Sequence, residues 1–94
     1  MVSVNQECVK SVVVANTYGL HARPAAEFVK LAGQYKSEVL VEKDGLEVNG
    51  KSIMGVMMLA AEKGSSLAIR AIGVDAQEAV EALCDLVTQG FNED

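Results

Sequence analysis

The spacing of apolar residues changes several times along the chain, and each change marks an element. Val9 to Val14 is largely β-branched and predicts a strand. Asn16, Thr17, Tyr18 and Gly19 follow as a loop. Apolar residues then fall at Ala25, Phe28, Val29 and Ala32, the stripe of an amphipathic helix, with Gly33 suited to its C-terminal cap. Pro24 is compatible with that helix only in its first turn, where its missing N–H has no intrahelical partner anyway. This puts His21 at or next to the N-cap. Arg23, preceding a proline, is biased away from the helical region and is expected to be strained there.

Val39 to Lys43 and Leu46 to Asn49 flank Asp44-Gly45, a hairpin signal because a type I′ turn needs positive φ at both central residues. Ser52 is placed to cap a short helix over Ile53 to Leu59, and Gly64 closes the segment beyond it. Leu67, Ile69 and Ala71 alternate as a strand. Asp75 with Glu78 reads as a capping box opening a last helix, with Ala76, Ala79, Val80, Leu83, Leu86 and Val87 on one face and Gly90 at its end. The order β-α-β-β-α-β-α predicts a two-layer α+β fold with the helices gathered on one face of a single sheet. The other face should be partly polar, from Ser11, Glu38, Glu42, Glu47 and Arg70. Strand order is not determined by the pattern.

The 94 residues suit one small domain over residues 1–94, with a polar, frayed extension over residues 1–7. Half the residues are hydrophobic and only 4% aromatic, so the core should be aliphatic. A formal charge of −5, with arginine only at Arg23 and Arg70, argues against nucleic acid or anionic membrane as partner. With no charged-then-apolar leader and no apolar run of about 18 residues, a cytoplasmic protein is expected, without membrane insertion. Cys8 and Cys84 lie far apart and are expected as two thiols rather than a disulfide.

The candidate chemistry centres on Gly19 to Ala26, which holds the chain's one histidine and one proline. His21 can simply cap a helix. It can also receive a phosphoryl group. A helix start offers free N–H groups and partial positive charge to phosphate oxygens, and Arg23 adds charge-assisted hydrogen bonds. Neutral imidazole is itself a competent nucleophile. There is no second general base, no Ser-His-Asp set and no metal-ligand spacing. These elements therefore describe an acceptor without metal or cofactor better than a hydrolase. Ser52 is sufficient as an N-cap. As a phosphorylation site it would add about −1.5 to −2 charge to its surroundings. Ile53, Met54, Met57, Met58 and Leu59 can form the buried face of a short helix. They are too many for one face, so some should be exposed, with Leu20 joining them as an apolar docking patch.

Gly19-Leu20-His21-Ala22-Arg23-Pro24-Ala25 resembles the active-site signature of the HPr family, the histidine-containing phosphocarriers of the phosphoenolpyruvate-dependent sugar phosphotransferase system. Asn49-Gly50-Lys51-Ser52-Ile53-Met54-Gly55-Val56-Met57 resembles that family's regulatory serine segment, at the family's usual separation. The element order from about Cys8 to Gly90 is similar too. The resemblance implies an open-faced β-sandwich, a four-stranded antiparallel sheet with three helices on one face. It implies that enzyme I phosphorylates His21 on Nδ1, with Arg23 supporting the phosphoryl group. An enzyme IIA component would receive the group in sugar uptake, and Ser52 would be the target of an HPr kinase/phosphorylase. Leu20, Ile53, Met54 and Met57 would dock the partners, with the chain a monomer and a carrier rather than an enzyme. Tyr18 stands where a small polar residue is common among sugar-system members, and Asn-x-x-Gly-Leu-His is shared with the nitrogen-related branch. A carrier with purely regulatory output therefore stays open, as does a small ligand-binding or interaction module.

Overall fold

The computed structural model describes residues 6–93. The elements run β1 (Gln6–Val13), α1 (Ala22–Ala32), β2 (Glu38–Lys43), β3 (Leu46–Asn49), α2 (Ile53–Met58), β4 (Ser66–Gly73) and α3 (Ala76–Thr88), followed by a short turn over Gly90–Asn92. The order and fold class are those the pattern predicts. The strand order is β1-β4-β2-β3, antiparallel throughout, so the last strand in sequence lies between the first and the second.

Alternation along β4 sets the two layers. Leu67, Ile69 and Ala71 point inward and are fully buried, as are Val39 and Val41 beside them on β2. α3 covers β1 and β4, while α1 packs against both α3 and α2. Phe28 from α1 and Val80, Leu83 and Val87 from α3 complete a mostly aliphatic core, whose two largest buried side chains are Phe28 and Phe91. Cys84 is buried with them, and Leu86, expected on that face, is only half-buried. The open face carries Ser11, Glu38, Glu42 and Glu47 in solvent. Across it Arg70 pairs with Glu47 at 2.9 Å and with Glu7 at 3.3 Å, tying β4 to both edge strands. At the hairpin Asp44 and Gly45 have φ of 53° and 85°, as the type I′ reading requires.

Two expectations are corrected. Gln6 and Glu7 are not a frayed extension but open β1, because Gly73 and Ile72 of β4 extend far enough to pair with them; residues 1–5 lie outside the described residues. Arg23 sits inside α1, in the helical conformation that the proline after it disfavours. Asp75 makes no side-chain cap on α3. Its carboxylate instead accepts from the Lys36 and Ser37 amides, each at 2.9 Å, and from the Ser37 hydroxyl, joining the α1–β2 loop to the start of α3.

The hydrogen bonds to Asp75, the Ser37 hydroxyl first and the Lys36 amide next, hold its carboxyl below the usual carboxylate range. A depressed folded pKa means stability that is fully present above the unfolded value of about 3.9 and lost as pH falls through the lower folded value. The melting temperature of Asp75→Asn should therefore lie below the parent's near neutral pH and converge on it in acid. Phe28→Ala, emptying a fully buried site, should lower stability by about 3–5 kcal/mol in urea titration.

Candidate functional site

α1 begins where the loop from β1 is pinned. The Leu20 amide donates to the Ala61 carbonyl at 2.9 Å, and the Gly19 amide to the Asn16 carbonyl at 3.2 Å. Gly19 has φ +68°, and a Cβ there would overlap the Ala61 carbonyl, so only glycine allows this approach. Asn16 is fully buried, and its Nδ2 donates to the Gly19 carbonyl at 2.8 Å, closing the loop from inside. His21 then takes an extended conformation as N-cap, and its carbonyl accepts from the Ala25 amide at 3.0 Å. Pro24 falls in the first turn, where a proline removes no helical bond. The Ala22 and Arg23 amides are left without intrahelical acceptors beside the histidine.

The His21 side chain is 42% exposed, open enough for another protein to reach. Tyr18 stands edge-on to its ring, centroids 6.3 Å apart and planes at 84°. On the other side Nε2 lies 3.4 Å from Glu93 Oε1, and the same oxygen accepts from Asn16 Nδ2 at 3.1 Å. The Arg23 guanidinium turns along the helix, with Nε 3.5 Å from Glu27 Oε2, one turn on. Exposed at 74%, it is held only by an ion pair of the kind that contributes about 0–1 kcal/mol. Arg23 is thus near in sequence but not in contact with His21 among the described residues.

Ser52 caps α2, its Oγ accepting from the Gly55 amide at 3.1 Å while its carbonyl accepts from the Val56 amide at 3.0 Å. α2 turns only Val56 fully inward and leaves Ile53, Met54, Met57 and Met58 exposed. Its far end leads through Leu59 to Ala61, whose carbonyl holds the histidine loop. Ser52 and the His21 support therefore bracket one short helix of about 9 Å. Leu20, expected on the apolar patch, is 4% exposed and belongs to the core. Its amide hydrogen bond to the Ala61 carbonyl fixes the backbone here, and its side chain packs into the core rather than toward solvent.

Reasoning from sequence missed Asn16 and Glu93. A polar residue in a loop carries no signal that it is buried, and nothing in a polar C-terminal segment marks a carboxylate that returns to the histidine. A shallow groove of about 220 Å³ between α1 and α3, lined by Glu27, Lys30, Leu31, Gln34 and Leu86, does not include His21. Cys8 and Cys84 are free thiols, and burial raises the pKa of Cys84 and keeps it protonated. Among the described residues no helix is long and apolar enough to cross a membrane.

The sequence and fold have counterparts in known proteins. The family model for the PTS HPr component phosphorylation site matches residues 8–89. The phosphocarrier protein HPr of Neisseria meningitidis is 49% identical over 84 residues, covering 89% of this chain and 94% of that protein. The HPr-like protein Crh of Halalkalibacterium halodurans is 53% identical over 74 residues, covering 79% of this chain and 88% of that protein. Among solved structures, HPr-C-His from Thermoanaerobacter tengcongensis superposes with a TM-score of 0.89 at 44% identity, covering 93% of this chain and 98% of that one. Crh, the Bacillus subtilis catabolite repression protein, described as a dimer formed by a swapping domain, gives a TM-score of 0.73 at 48% identity over 84% of this chain and 91% of that one. The fold, the helix-start histidine and these matches agree: the chain belongs to the HPr family of phosphocarrier proteins, which carry a phosphoryl group rather than turn over a small molecule.

Proposed function

We propose that the chain accepts a phosphoryl group on Nδ1 of His21 from phosphoenolpyruvate-charged enzyme I and passes it to a histidine of an enzyme IIA component, in the cytoplasm and as a monomer, in the service of sugar uptake. The observation that carries this reading is the accessible His21 ring at the start of α1, with the Ala22 and Arg23 amides beside it. A carrier must hold its group at intermediate stability. An exposed helix start with one loosely held arginine is a moderate holder, whereas a site with many fixed donors would not release the group. Ile53, Met54 and Met57 offer an adaptable apolar surface on which two partners can dock in turn. Leu20 contributes by supporting that surface from the core.

Ser52 is the proposed target of an ATP-dependent HPr kinase/phosphorylase. Phosphate there would remain compatible with the start of α2 while placing negative charge beside the docking methionines. A second reading, a carrier whose output is regulatory only, is favoured by the 53% identity to a Crh protein. Loss of sugar uptake on deletion of the gene supports the first reading, and unchanged uptake with altered gene control supports the second.

Incubation with enzyme I and labelled phosphoenolpyruvate should give acid-labile, base-stable label that is absent from His21→Ala. No label on the parent, with a competent enzyme I present, would sink the carrier reading. Ser52→Asp should accept the group from enzyme I about tenfold more slowly at low salt, since charge at a docking surface acts on encounter rates. Acceptance at the parent's rate would remove Ser52 from the regulatory role.

A further inference from the structure

The chain after α3 takes an unusual path. Gly90, Phe91 and Asn92 have φ of +65°, +57° and +58° in succession, a conformation rare for a bulky residue such as phenylalanine. Phe91 is held in it by a ring only 1% exposed, and the turn is closed by the Asn92 amide on the Gln89 carbonyl at 3.2 Å and the Glu93 amide on Gly90 at 3.0 Å. Strained backbone of this kind concentrates at functional sites. Here it turns the chain back so that the Glu93 side chain, 13% exposed, lies between Asn16 Nδ2 and His21 Nε2. A carboxylate can only accept, so its contact with the ring requires the proton on Nε2.

We propose that Glu93 is a positioning residue for His21. It holds the proton on Nε2, leaves the lone pair of the neutral ring on Nδ1, and offsets the positive charge the ring acquires on phosphorylation. This rests on the phosphocarrier reading above. In the step, the Nδ1 lone pair attacks the phosphorus of the donor's phosphohistidine. A new N–P bond forms as the donor's N–P bond breaks, and that electron pair returns to the donor's imidazole. Nε2 keeps its proton, so the His21 ring becomes cationic while Glu93 Oε1 faces it. Onward transfer returns the electron pair to Nδ1 and restores the same neutral tautomer, so no proton moves in either direction. Asn16 fixes the carboxylate in this position, and its Nδ2 also holds the Gly19 carbonyl, so loop and carboxylate share one buried anchor.

The test uses the full chain with Glu93→Gln and Glu93→Ala. Ring ¹⁵N shifts of His21, read where the imidazole is neutral, should show the Nε2–H tautomer in the parent and a larger Nδ1–H share in Glu93→Ala. In rapid-quench transfer from phosphorylated enzyme I, both variants should accept about tenfold more slowly at unchanged KM, with melting temperatures near the parent's. Glu93→Gln, which keeps an acceptor but no charge, should retain the parent's tautomer while sharing the rate loss. Identical ring spectra in parent and Glu93→Ala, or transfer by both variants at the parent's rate, would overturn the proposal. A parent that takes no phosphoryl group would instead defeat the carrier reading, and the ring spectra would still decide the role of Glu93.

Discussion

The inner face of β4 is the constraint on which the rest depends. Leu67, Ile69 and Ala71 are fully buried, and β4 pairs on both sides, with β1 and with β2. A slip of one residue against either neighbour would carry this apolar row to the open face, so the burial fixes both registers together. The strand that organises the sheet is the last to be made, and the sheet is therefore held by pairings distant in sequence. Arg70, on the opposite face of the same strand, reinforces this by reaching Glu7 on one edge and Glu47 on the other.

That register decides what meets at the histidine. β1 ends beside the start of β4, where the Val14 amide donates to the Ser65 carbonyl at 2.9 Å and the Gly64 amide to the Val14 carbonyl at 2.8 Å. The β1–α1 loop, the exit from α2 and the chain after α3 are thus gathered at one end of the sheet. The buried polar residues follow the same logic. Asn16 ties the histidine loop to Glu93 at that end, and Ser37 ties the α1–β2 loop to Asp75 at the other. Each joins two segments that the helices alone would leave independent, although only the Nδ2 of Asn16 is paired and its buried Oδ1 has no partner among the described residues.

Under the proposed function the arrangement lets one small domain serve a relay. In the proposed scheme the nucleophile, His21, lies on an exposed helix start, next in the chain to a buried Leu20, and the exposed methionines of α2 form the docking surface. Arg23, the cation proposed to support the group, is held only by its weak pair with Glu27. In the proposed scheme the fixed contacts are reserved for the ring itself, through Glu93 at Nε2 and the Tyr18 edge.

Much of this was legible in the chain because it depends on local rules. Alternation and helical spacing give the elements, Asp44-Gly45 gives its turn, and Ser52 and Pro24 give their helix starts. Each of these is a choice made within a few residues. His21 and Ser52 stood out for the same reason, as polar residues at helix starts within distinctive motifs. The misreadings share the opposite cause. Asp75 with Glu78 has the sequence of a capping box, but the carboxylate is taken up by two amides and a hydroxyl of a loop nearly forty residues away. Leu20 reads as a surface neighbour of the histidine, but its side chain packs into a core assembled from segments distant in sequence. The sequence alone thus determined the elements, the fold class and the place of the candidate histidine at a helix start, because periodicity, caps and turns act over short range. Only the tertiary structure decided the strand order, the burial of Asn16 and the return of Glu93 to the ring, because these depend on which distant segments a single buried face brings together.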